Sequence, residues 1–166
     1  KYIAAGISTD HECYKLEEAL EKIRYGMKIL IREGSAAKNF DVLIPLLKTH
    51  PEMVMLCSDD RHPNDLEKEH VNSFVQRALK LGYEPMRVFR AATLNPVQHY
   101  KLDVGLLQVG DPADLIVVDN LDQFSVLETY INGSLVASNG KSAIKSVDVE
   151  PINNFLAGAI KEEDIR

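Results

Sequence analysis

The chain has 166 residues, 45% of them hydrophobic, which is enough to bury a core as one domain or two small ones. Its 25 acidic against 19 basic residues give a formal charge of -6, which argues against nucleic acid or an anionic membrane surface as a partner. No apolar run approaches the roughly 20 residues that cross a bilayer, and no basic-then-apolar leader opens the chain, so a cytoplasmic location is expected.

Two cysteines, Cys13 and Cys57, do not make a disulfide framework and suit a reducing compartment. Lys1 is followed at once by an apolar run, so the start reads as a cut through a longer protein.

Tyr2 to Ile7 reads as a buried strand that opens into the polar cluster Ser8-Thr9-Asp10-His11-Glu12. Leu16, Ala19, Leu20 and Ile23 recur at helical spacing, predicting a helix over Lys15 to Tyr25 that Gly26 closes. Met27 to Ile31 is a second strand, followed by Arg32-Glu33-Gly34-Ser35 and a helix marked by Val42, Leu43, Leu46 and Leu47. Met53 to Leu56 is a third, ending in Cys57-Ser58-Asp59-Asp60-Arg61-His62-Pro63, with Asn64 or Asp65 capping a helix that runs to Leu81 and stops at Gly82.

Three strand-loop-helix units with nearly all-apolar strands predict a parallel sheet covered by helices. The polar residues gathered at the strand C-termini match the functional face of a (β/α) barrel, of which three units are a part. Pro85 is placed to begin another helix with Met86, Phe89 and Arg90, and Asn95-Pro96 starts a short turn before Tyr100. From Gly105 the texture becomes β: Leu106 to Val109, Leu115 to Val118, Val126 to Ile131 and Leu135 to Ala137, with Asn132-Gly133 a type I′ hairpin signal. The expected organisation is an α/β part over 1–104, a small all-β segment over 105–141 and a tail over 142–166.

Asp10-His11-Glu12 sets an imidazole between carboxylates, a metal ligand with a proton-transfer neighbour, although a capping histidine explains an isolated triplet as well. In Asp59-Asp60, one carboxylate could bind a cation and move a proton while the other accepts hydrogen bonds from substrate; a capping turn is the plainer reading. Arg61, His62 and Pro63 make that loop richer than a cap requires, and Ser35 with the preceding Arg32-Glu33-Gly34 is suited to line a pocket or to form an exposed salt-bridged turn. No Walker-type loop, Cys-x-x-Cys pair or Gly-x-Ser-x-Gly elbow is present, which leaves metal-assisted hydrolysis.

Read in order, Ala5-Gly6-Ile7-Ser8-Thr9-Asp10-His11-Glu12, Ile31-Arg32-Glu33-Gly34-Ser35 and Cys57-Ser58-Asp59-Asp60-Arg61-His62-Pro63 resemble successive segments of adenine deaminases. Ala91-Ala92-Thr93-Leu94-Asn95-Pro96 and Gly110-Asp111-Pro112-Ala113-Asp114-Leu115 are similar to the helix and β-segment after the last barrel strand in the amidohydrolase superfamily at large. The resemblance covers Lys1 to Gly140.

It implies the last three units of a (β/α)8 TIM-like barrel followed by part of a small β-sandwich, with His11 a metal ligand from the sixth strand and Asp59 a metal ligand and proton shuttle from the eighth. Glu12 would join the catalysis, and Asp60, Arg61, His62 and Ser35 would surround the substrate, adenine. Water activated at one or two divalent ions, manganese or iron with zinc as an alternative, would attack C6, expel ammonia and leave hypoxanthine. The paired histidines of the first strand, the bridging carboxylate of the fourth and the histidine of the fifth have no counterpart here and would precede Lys1. With a metal site this incomplete, the chain is expected to be inactive alone.

Unpaired sheet edges would favour homo-oligomers. Two other readings stand beside this one: an amidohydrolase for a cyclic amide or an N-acetyl sugar, and a non-catalytic interaction domain that inherited the fold.

Overall fold

A computed structural model describes residues 1–150, 152–156 and 158–165. Its first layer is a three-stranded sheet, β1 (Thr9–Asp10), β2 (Lys28–Arg32) and β3 (Val54–Cys57), in that spatial order and parallel throughout. Asp10 lies opposite Ile29, and Arg32 opposite Cys57. In a parallel sheet all strands point one way, so the loops beginning at His11, Glu33 and Ser58 leave from one edge.

Ile29, Ile31, Val54 and Met55 are fully or almost fully buried, as central strands covered on both faces require. Helices supply the cover. In α1 (Leu16–Arg24) Ala19 and Ile23 face inward, and its end is a two-bond left-handed cap: Gly26 at φ 87° donates to Ile23 O, and Met27 donates to Lys22 O. Gly82 ends a later helix the same way at φ 80°, its N–H on Leu79 O and that of Tyr83 on Ala78 O.

Four expectations are corrected. The run from Tyr2 to Ile7 is not a strand but a 3-10 turn over Ile3–Ala5, with Gly6 left-handed, and pairing begins only at Thr9. The Ala5 and Gly6 amides close that turn on Tyr2 and Ile3 carbonyls, and Tyr2 and Ile7 remain exposed. The helix around Val42 to Leu47 is two short pieces, α2 (Phe40–Leu43) and α3 (Leu46–Thr49), because Pro45 between them has no N–H to donate back along the helix.

The helix expected from Asn64 or Asp65 to Leu81 is also two, α4 (Pro63–Leu66), flanked by His62, and α5 (Val71–Lys80). Residues between them are polar and exposed and give the sheet nothing to bury, and the chain restarts where His70 O accepts both the Ser73 N–H and its hydroxyl. Finally, Leu106 to Val109 is a turn rather than a strand: Leu107 and Gly110 take positive φ, and the Leu106 N–H is held by Asp111 Oδ2 at 2.8 Å.

Phe74, Val75 and Ala78 of α5, with Val88 and Ala91 of α6 (Pro85–Ala92), complete the core. Pro85 begins α6 as expected, capped by the Glu84 carboxylate, which accepts the Met86 and Arg87 amides. Asn95-Pro96 lies in the first turn of α7 (Leu94–Tyr100), where buried Asn95 donates to Pro51 O and Val54 O at 2.7 Å each.

The second layer is an antiparallel sheet of β4 (Leu115–Val118), β5 (Val126–Ile131), β6 (Ser134–Ser138) and β7 (Lys141–Ser142), with Asn132 and Gly133 both at positive φ in the β5–β6 turn. Phe124 ties it to the helices, stacking on Phe89 with centroids 5.1 Å apart while its carbonyl accepts from Gln76 Nε2. No helix among the described residues is long and apolar enough to cross a membrane.

Candidate functional site

The first and third loops at the C-terminal edge of the parallel sheet bring His11, Glu12 and Asp59 together. His11 Nε2 stands 3.2 Å from Glu12 Oε1 and 3.8 Å from Asp59 Oδ1. Bridging Glu12 and Asp59 is Arg32, the last residue of β2 and only 5% exposed. Its Nη1 donates to Glu12 Oε1 at 3.1 Å and to Asp59 Oδ2 at 2.8 Å; its Nη2 donates to Glu12 Oε2 at 2.7 Å and to the Tyr14 hydroxyl at 3.2 Å. Burial works against its charge, but Tyr14, Asp59 and Glu12 outweigh that and hold the guanidinium protonated.

Asn39, 1% exposed, sets the loop geometry beneath this cluster. Its Oδ1 accepts the Arg32 N–H at 2.8 Å, and its Nδ2 donates to the carbonyls of His11 at 3.2 Å and Cys13 at 3.1 Å. On the other side of His11, Asp10 Oδ1 accepts the amides of Glu12 and Cys13, and Oδ2 takes Lys22 Nζ at 2.9 Å. Burial opposes ionisation of Asp10, but the bonds from Lys22, Cys13 and the Glu12 amide prevail and hold it below the ordinary carboxylate value. Burial pushes the Cys57 thiol up to about 11, with the Asp59 charge adding to it.

The remaining expected residues form a second group. Asp60 Oδ1 accepts the Ser35 N–H at 3.0 Å, and Ser35 Oγ accepts the His62 N–H at 3.0 Å, so these three clasp the second loop to the third. Arg61 pairs with Glu69 and lies 5.3 Å over the Phe74 ring, its charge directed to α5 rather than to the His11 cluster. A cavity of about 730 Å³ between the α4–α5 connection and the antiparallel sheet is lined by none of His11, Glu12, Arg32 or Asp59.

Tyr14 and Asn39 were not among the expected site residues, and Arg32 was expected only as part of the Arg32-Glu33-Gly34-Ser35 segment suited to line a pocket or to form a salt-bridged turn. Arg32 carried a faint signal, a cation at a strand end between two acid-rich loops; Asn39 carried none.

A divalent ion takes imidazole nitrogen and carboxylate oxygen at about 2.0–2.2 Å. His11 Nε2 and Asp59 Oδ1, 3.8 Å apart, can therefore both touch one ion, and their chemistry fits one. Both Glu12 oxygens face Arg32, and among the described residues no group of three or more His, Cys, Asp or Glu is arranged to hold a metal.

Residues 3–136 match the sequence pattern of the amidohydrolase family. Similar relatives are an adenine deaminase of Sulfurovum sp. (strain NBC37-1), 58% identical over 99% of this chain and 31% of its own length, and one of Salinibacter ruber, 55% identical over 100% of this chain and 30% of its own. A third, from Methanosarcina mazei, is 50% identical over 100% of this chain and 30% of its own length. The chain thus spans under a third of the length of these relatives. Among solved structures, a beta-aspartyl dipeptidase from Fervidobacterium islandicum AW-1 shares the fold, with a TM-score of 0.62 at 22% identity over 81% of this chain and 37% of that one.

Proposed function

The chain belongs to the amidohydrolase family, and on that premise we propose that it is the part of an adenine deaminase that supplies one metal histidine, His11, and the proton-handling aspartate, Asp59. The observation that carries this reading is the convergence of those two side chains, 3.8 Å apart, from different strand ends at one edge of a parallel sheet.

In this assignment residues 1–104 are the last three units of a (β/α)8 barrel, 105–141 belong to the accompanying β-sandwich and 142–166 are a tail. Further strands add at the open edges beyond β1 and β3, which are also where a second copy could pair.

The reaction is hydrolytic: adenine and water give hypoxanthine and ammonia. A divalent cation, manganese or iron by preference, supplies Lewis acidity that makes water nucleophilic near neutral pH. Asp59 Oδ1, on the His11 side of its carboxylate, receives the proton of the attacking water and returns it to the departing amino group. Glu12, locked on Arg32, presents fixed negative charge beside that transfer. Asp60, Ser35 and His62 shape the wall through their clasp and leave the second Asp60 oxygen for the purine; Arg61 braces the loop against α5.

A catalytic site of this kind needs about three protein ligands. The 166 residues alone are therefore inactive, and the full-length protein that carries them is active. The test is ammonia release from adenine with added manganese by each. Activity in the full-length protein and none in the segment supports the reading; activity in the isolated segment overturns the account of shared ligands.

A further inference from the structure

Asp59 has two carboxylate oxygens, and the rotation that exchanges them is soft and nearly two-fold. In this site one orientation of the carboxylate plane is held. Oδ2 is held by Arg32 Nη1 at 2.8 Å, and only Oδ1 is left towards His11. We propose that Arg32 is a positioning residue: its buried fork grips Asp59 Oδ2 and both Glu12 oxygens, fixing Asp59 Oδ1 as the atom that meets the cation and the transferred proton. The inference rests on the deaminase reading above.

Arg32 is itself held from two directions. Its backbone N–H is on Asn39, which also carries the His11 carbonyl, so one amide orients both the gripping residue and the proposed histidine ligand. Tyr14 takes the far end of the fork. Asp59 meets this fork from a left-handed backbone at φ 50°, a conformation uncommon outside glycine though tolerated by aspartate.

Burial leaves Arg32 Nε without a partner, a cost to stability rather than a gain. The gain lies in the fork. A planar guanidinium can bridge two carboxylates at once, whereas a lysine ammonium is a single point on a flexible stem and cannot hold both in register.

The test uses the full-length protein with Arg32→Ala, Arg32→Lys and wild type in parallel, each confirmed folded by its thermal transition. Both variants are expected to lose about 10- to 100-fold in kcat on adenine and a similar factor in Mn²⁺ affinity by chelator competition. KM changes by less than about threefold, the pattern of a lost transition-state interaction rather than lost binding. Added guanidinium restores the Arg32→Ala variant and leaves Arg32→Lys unchanged.

A folded Arg32→Lys protein with wild-type kcat and Mn²⁺ affinity overturns the proposal, because charge without the fork then suffices. If Arg32→Ala does not fold, Arg32→Lys decides alone. Wild-type protein that binds Mn²⁺ but leaves adenine untouched defeats the deaminase reading instead, and the Mn²⁺ affinities of the variants still judge Arg32.

Discussion

Asp60 lies directly over Gly34: a Cβ on Gly34 would stand 2.0 Å from Asp60 Oδ1, the same oxygen that accepts the Ser35 N–H at 3.0 Å. The loops after β2 and β3 are joined through a space only glycine leaves open. Gly34→Ala must push the Asp60 carboxylate off the Ser35 amide, at an expected cost of about 0.5–1.5 kcal/mol in urea unfolding of the chain, that of one exposed hydrogen bond. Removing the obstructing side chain as well, in Gly34→Ala with Asp60→Gly, should cost less than the sum of the two single changes. A Gly34→Ala chain as stable as the parent would show that the two loops are not clasped this way.

Asn39 supplies three hydrogen bonds, two of them buried and the third part-buried. Asn39→Ala leaves the Arg32 amide and the His11 and Cys13 carbonyls without that partner, and each buried unsatisfied group costs about 1–3 kcal/mol. The expected result is a large fall in the urea midpoint. Asn39→Asp keeps the acceptor but turns both donors into an oxygen facing two carbonyls, so it should not recover the loss.

The Asp114 carboxylate joins the connection before β4 to the β5–β6 turn, accepting the amides of Asn132 and Gly105 at 2.8 Å each. Those bonds hold its pKa below the ordinary 3.8. Because the folded value is the lower one, its contribution is present above 3.8 and is lost as pH falls through the folded value. The stability difference between wild type and Asp114→Asn should therefore be visible at pH 7 and shrink as the pH is taken below 3.8. A difference that grows on acidification would contradict this sign.

Neither thiol is in a disulfide. Burial and the hydrogen bond to Asp10 push Cys13 up to about 11, and burial with the charge of Asp59 does the same to Cys57. Native protein treated with iodoacetamide at pH 8 should stay unmodified over a period in which the unfolded chain takes two labels. Rapid labelling of Cys13 in the folded state would mean the loop beside His11 opens readily.

The features legible in the sequence were those whose cause is local. Gly26 and Gly82 end helices because their left-handed φ closes the final carbonyls, and Asn132-Gly133 turns a hairpin for the same conformational reason. The second and third strands declared themselves as uninterrupted apolar runs. Tyr2 to Ile7 looked the same but lacks a pairing partner there, and apolarity without pairing does not make a strand. The split helices turned on one missing N–H at Pro45 and on a polar stretch after Leu66 that no window of periodicity weighs correctly.

At the candidate site, the order of motifs singled out His11 and Asp59, yet nothing in that order said that Arg32 would bridge Asp59 to Glu12. Its place is set by the parallel register, which puts Arg32 opposite Cys57, two residues before Asp59. Asn39 depends likewise on contacts with residues 26 and 28 positions earlier in the chain.

The central claim is that Asp59 handles the proton in deamination of adenine. It is tested most directly by measuring ammonia and hypoxanthine formed by the manganese-loaded full-length protein, wild type against Asp59→Asn. The account predicts equal amounts of the two products from wild type and a loss in kcat of about 10²- to 10⁴-fold in Asp59→Asn. Wild-type protein without activity on adenine, or an Asp59→Asn protein that retains it, would contradict the account.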